Sequence, residues 1–73
     1  MAVHKLDATG LRCPQPILKI TIMMPEMSPG DVLEVSADCD SFESDVRTWC
    51  ERLKKTLLAV NHDGDVVTAV IQF

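Results

Sequence analysis

The stretch "GLRCPQP", residues 10–16, places a thiol one residue before a proline and three before another. Proline is well tolerated at the first position of a helix, where its missing N–H would have had no partner. With Pro14 in that position, Cys13 becomes the N-cap and Pro16 falls within the first turn. The stretch then reads as a helix start with a thiol at its tip, held outward by two prolines that fix the backbone. Such a thiol meets the positive end of the helix dipole and free N–H groups, which favour the thiolate. Arg12 adds an adjacent positive charge. This suits in-line displacement at sulfur, of the thiol–disulfide type. A thiolate already populated needs no general base. No ligand cluster suggests a metal or a cofactor, and none is expected.

The other two cysteines read differently. Three cysteines with no CxxC spacing make a disulfide framework or a four-ligand zinc site unlikely, and reduced thiols of a cytoplasmic protein are expected. Cys50 falls on the apolar stripe of a helix, where a cysteine is usually a small buried hydrophobe. Cys39 follows a strand and could approach Cys13, but an incidental thiol is favoured over a resolving one. Arg12 weighs evenly between a solvated charge and a sulfur-positioning group, whereas Lys19 leans to the solvated reading. His4 and His62 are too far apart in sequence to suggest a site.

The elements that must position Cys13 follow from periodicity. Residues 3–8 read as a strand ending at Thr9-Gly10. The first helix runs through "ILKITIMM" until Pro25 ends or kinks it, with Ile17, Ile20, Met24 and Met27 on its apolar face. "SPGD" is a turn, and "VLEVSAD" alternates with Leu33, Val35 and Ala37 inward. Asp40 and Glu43 resemble a capping box opening a second helix. Its buried stripe is Phe42, Val46, Trp49, Cys50, Leu53 and Leu57, and Glu43–Arg47 and Glu51–Lys55 are favourable i,i+4 pairs. Residues 57–73 form a hairpin around Asp63-Gly64, with Val67, Ala69, Ile71 and Phe73 inward. Strand–helix–strand implies a parallel pair with a right-handed crossover, and the hairpin adds antiparallel strands. The expected fold is an α/β (α+β) two-layer sandwich, βαβαββ, with two helices on one face of a four-stranded mixed sheet. Val66, Thr68, Val70 and Gln72 are left on its other face.

Composition sets the limits. A chain of 73 residues makes one domain, 1–73, and at this size buries only roughly 60% of the surface its unfolded form exposes. At 47% hydrophobic and 25% charged it is globular. The first ten residues do not have the form of an export signal, and nowhere do about 18 apolar residues run together, so no membrane insertion is expected. A net charge of −4 argues against direct binding of nucleic acid, which needs a basic surface.

"LDATGLRCPQPILK" closely resembles the signature of the TusA/SirA family of small sulfur carrier proteins, in which a Leu-Asp pair precedes a Gly-Leu-x-Cys-Pro-x-Pro helix start. The likeness continues through "MSPGDVLEVSAD", the region of Asp45, and Trp49-Cys50. Arg47 departs from the proline many relatives carry, and the first helix is more apolar than usual and contains Pro25. The resemblance implies a two-layer sandwich with a single essential cysteine, at Cys13. It implies that Cys13 carries sulfur as a persulfide, received from a cysteine desulfurase or rhodanese-like donor and passed to an acceptor protein. Destinations in the family are tRNA thiolation, molybdenum cofactor synthesis and sulfur oxidation. The expected protein is a monomeric covalent carrier of sulfurtransferase type rather than an independent turnover enzyme. Arg12, Pro14 and Pro16 would support the site, and the donor would dock over the first turn and the exposed apolar side of helix one, with Leu18, Lys19 and Met23 as candidates and Ile22 beside them. The competing readings are a noncatalytic interaction or regulatory module with a merely structural cap, and a thiol redox protein using Cys13 and Cys39.

Overall fold

A computed structural model describes residues 2–73; Met1, included in the expected domain, lies outside them. The order is β1 (Val3–Asp7), α1 (Gln15–Met23), a 3₁₀ turn (Met24–Glu26), β2 (Val32–Ala37), α2 (Phe42–Leu53), β3 (Thr56–Asp63) and β4 (Val66–Gln72). The sheet runs β1-β2-β4-β3, with β1 and β2 parallel and β4 antiparallel to both β2 and β3. This is the two-layer α+β sandwich that the pattern of elements implies, with both helices packed on one face of the mixed sheet.

The alternation in β2 and β4 determines which face is covered. Leu33 pairs with Ile71 and Val35 with Ala69, and all four are fully buried. Ile20 from α1 and Phe42, Val46, Trp49 and Cys50 from α2 close over them. The helices are joined by a polar contact as well: the Thr21 hydroxyl of α1 accepts a hydrogen bond from the Trp49 indole at 3.2 Å. Phe73 meets Trp49 edge-on, with ring centroids 6.0 Å apart. On the uncovered face Ser36 and Thr68 share a cross-strand hydrogen bond of 3.0 Å. Among the described residues, no helix is long and apolar enough to cross a membrane.

Several local expectations are corrected. The Asp40–Glu43 capping box does not form. Helix α2 begins at Phe42 with Ser41 at the cap position, and no side chain caps its amides. The Glu43 carboxylate is instead engaged by Arg47 at 3.1 Å and by His62 at 2.9 Å, which hold its charge form and lower its pKa. Arg47 therefore realises its i,i+4 pair, whereas Lys55 lies beyond the helix end with its ammonium over the Phe73 ring. Leu53 is exposed, and Leu57 belongs to β3, where it pairs with Ile71. The hairpin loop is Gly64-Asp65, one residue later than expected, with Gly64 at φ 61°.

Asp31, in the turn before β2, is nearly buried. Its carboxylate accepts the Ala2 and Ser28 amides at 3.0 and 3.1 Å and lies 3.1 Å from the His4 imidazole. These donors, the two amides foremost, hold its pKa down to about 2. One carboxylate thus fastens the start of β1 to the turn that feeds β2.

Candidate functional site

Parallel strands end on the same side of a sheet, so the segments after β1 and after β2 emerge together. Beyond β1, Ala8 is fully buried and its amide extends the ladder to the Ser36 carbonyl at 2.7 Å. The chain then turns sharply. Asp7 accepts the Thr9 hydroxyl at 2.6 Å and the Thr9 amide at 3.0 Å, which lowers its own pKa. Gly10 follows at φ 81°, a left-handed conformation that glycine adopts without a Cβ penalty. Its amide donates to Asp38 Oδ1 at 2.9 Å, tying the loop after β1 to the loop after β2.

That tie brings two cysteines together. Cys13 and Cys39 form a disulfide, with Cα atoms 5.8 Å apart across 26 residues of sequence. The expectation that these cysteines are reduced thiols, with no disulfide in the chain, is therefore corrected. Odd cysteine number and absent CxxC spacing describe the chain linearly, whereas the pairing arises from two loops made adjacent by the parallel register. Both sulfurs are half-buried at an open cleft lined by Arg12, Asp38, Asp40 and Ser41. Cys50, the remaining thiol, is buried in the core, and burial pushes its pKa up, away from the thiolate.

The helix tip also differs from expectation. Pro14, not Cys13, occupies the cap position, and α1 starts at Gln15, so the thiol sits one residue further out. The Cys13–Pro14 peptide bond is cis. Few amides remain free to face the sulfur. Pro14 and Pro16 have none, the Gln15 amide donates to the Arg12 carbonyl at 2.7 Å, and the Ile17 amide donates to the Pro14 carbonyl at 3.1 Å. The expected cradle of free N–H groups is thus taken up by the turn itself. Positive potential at the cleft is left to the dipole of α1 and to Arg12, which is exposed and makes no ion pair among the described residues. Asp38 and Asp40, which line the same cleft, oppose it.

The remaining expected site residues separate into two groups. Pro14 is exposed at the helix tip, but Pro16 is fully buried and anchors that tip in the core. Leu18 and Ile22 are 55% and 71% exposed and form a shallow apolar groove with Leu11, Gln15 and Lys19. Met23 is half-buried against the core and does not line that groove. Asp38 was not recognised from the sequence as a site residue. Its only linear signal is its place just after β2, at the end where β1 also stops.

The architecture and cleft define a small two-layer α+β protein with a pair of cysteines at the exit of a parallel strand pair. The family model described as Sulfurtransferase TusA matches residues 4–73, so the chain belongs to the TusA sulfurtransferase family. A sulfurtransferase role follows for the chain as a whole.

Proposed function

We propose that the chain is a sulfur carrier whose Cys13 accepts sulfane sulfur as a persulfide from a protein donor and hands it to a protein acceptor. The observation that carries this reading is the place of Cys13 in a chain of the sulfurtransferase family: it stands at an open cleft, in the Cys-Pro-Gln-Pro turn that opens α1, while Cys50 is enclosed in the core. In the bonded form Cys13 has no thiolate, so loading begins from the reduced chain. The Cys13 thiolate then attacks the terminal sulfur of a donor persulfide, a new S–S bond forms, and the donor cysteine leaves as a thiolate. Attack on the outer sulfur by an acceptor nucleophile returns Cys13 to the thiolate. Arg12 is the nearest fixed positive charge in sequence for the anionic persulfide, and Pro14 and Pro16 hold the turn that presents it.

A cysteine desulfurase or a rhodanese-like protein fits the donor role, because either presents a persulfide on a mobile or exposed cysteine. Such a donor must cover the cleft, and the groove of Leu18, Lys19 and Ile22 along α1 provides adjacent apolar area. Thiolation of tRNA, molybdenum cofactor synthesis and sulfur oxidation are the destinations consistent with this chemistry. The net charge of −4 suits a carrier that delivers sulfur to a protein rather than to nucleic acid directly. A monomer of the cytoplasm goes with this role, the disulfide then being a reversible bond rather than a structural staple. Cyanide treatment of the reduced chain after incubation with a desulfurase and cysteine tests the proposal. Thiocyanate should form in a one-to-one ratio with chains able to retain the persulfide, and none should form from Cys13→Ser.

Thiol–disulfide exchange without sulfane sulfur is a second reading, favoured by the Cys13–Cys39 bond. A chain of that kind would reduce protein disulfides catalytically at the expense of a dithiol. Failure to do so, with persulfide loading intact, removes it.

A further inference from the structure

We propose that Cys39 is the resolving thiol for a persulfide on Cys13, so that the chain discharges its sulfur as hydrosulfide when no acceptor takes it. This rests on the sulfur-carrier reading and adds to it a second fate for the loaded chain. Three observations carry it. The two cysteines are within bonding reach, with Cα atoms 5.8 Å apart, inside the usual range for a disulfide. Their loops are tied by the Gly10 amide and the Asp38 carboxylate at 2.9 Å, at the common end of two parallel strands, so their approach is a property of the fold. Both sulfurs border the same open cleft, which gives a small anion a way out.

The step balances without any further reactant. The Cys39 thiolate attacks Cys13 Sγ, the inner sulfur of the persulfide. A bond forms between the two cysteine sulfurs as the bond from Sγ to the outer sulfur breaks. The outer sulfur leaves with the electron pair as hydrosulfide, taking the proton of the persulfide or one from water. Sulfane sulfur is thereby reduced by two electrons, and the two cysteine sulfurs together supply them. The protein product is the Cys13–Cys39 disulfide present in this structure. A low-molecular-weight thiol or a protein dithiol restores the carrier by ordinary exchange.

The choice between relay and discharge lies in which sulfur is attacked. An acceptor takes the outer atom; Cys39 takes the inner one. Because Cys39 belongs to the same chain, its attack is intramolecular, with an effective concentration of about millimolar or higher. An acceptor at micromolar concentration therefore competes only when it is already docked over the cleft, where it shields Sγ as it receives the outer sulfur. Loaded carrier that meets no acceptor ends as a disulfide, unable to take more sulfur until reduced.

The test uses the full chain, reduced and desalted without oxygen, then given one equivalent of inorganic polysulfide, with intact mass and free hydrosulfide followed together. Wild type should finish two hydrogens lighter than the reduced chain. Cys39→Ser should stay one sulfur atom heavier and lose that sulfur at least about tenfold more slowly, and Cys13→Ser should show neither change. Wild type that keeps the added sulfur as long as Cys39→Ser does would overturn the role of Cys39 and leave the carrier reading standing. Failure of Cys39→Ser to take up sulfur at all would overturn both.

Discussion

The Gly10 amide and the Asp38 carboxylate, 2.9 Å apart, join the loop that carries Cys13 to the loop that carries Cys39. The bond spans 28 residues of sequence and holds together the two loops that bear the cysteines. Gly10 makes the contact from a left-handed conformation, with open space where a Cβ would stand. Gly10→Ala should therefore cost only the backbone penalty, about 1–2 kcal/mol of stability. Denaturant melts of the reduced proteins check it, and a loss below a few tenths of a kcal/mol would show that the turn relaxes without strain.

Cys50 is enclosed by the α2 stripe and takes no part in the proposed relay. Cys50→Ala should lose roughly 1 kcal/mol of stability and keep full sulfur acceptance at Cys13. Equilibrium unfolding measures the first, and cyanolysis of Cys50→Ala combined with Cys39→Ser measures the second. A stable variant that no longer accepts sulfur would contradict the assignment.

Asp31 gives the acid limb of stability a definite sign. Its pKa is about 2 in the folded chain against 3.8 for the free side chain, so its contribution is fully present above about pH 4 and is lost as pH falls through the interval down to about 2. Asp31→Asn removes the charge that the Ala2 and Ser28 amides and His4 stabilise. The variant should be less stable than wild type at pH 6, with a gap that narrows toward pH 2. A gap independent of pH would mean that the effect is steric and not linked to ionisation.

The groove on α1 predicts a separation between association and reactivity. Leu18→Glu and Ile22→Glu alter residues that are mostly exposed, so stability should stay within about 0.5 kcal/mol of wild type. Transfer from a protein donor should slow by roughly fivefold or more through weaker association, whereas reduced Cys13 should react with a small alkylating reagent as before. Unchanged transfer in both variants would place the docking surface elsewhere, with the open sheet face around Val66 and Val70 next.

Much of this arrangement was legible in local sequence. Alternation in "VLEVSA" and the helical spacing of Phe42, Val46 and Trp49 assign the core faces, and Pro25 marks where α1 gives way to a 3₁₀ turn. What escaped was decided by tertiary contacts. Glu43 is drawn to Arg47 and His62 rather than to a capping role, and the pairing of Cys39 depends on the parallel register of two strands about thirty residues apart. Linear spacing carries no information about either. The helix tip failed for a different reason: with the Gln15 amide bonded back to Arg12, Pro14 takes the cap position and the helix starts one residue further from the thiol.

The central claim is that Cys13 is where sulfur resides during transfer. Cys39→Ser, reduced and incubated with a cysteine desulfurase and sulfur-labelled cysteine, tests it without discharge by the second cysteine. One thiol-releasable label per chain is the expected result, with none on the variant carrying both Cys13→Ser and Cys39→Ser. Label that persists on the double variant, or fails to appear on Cys39→Ser while the desulfurase is active, would contradict the account.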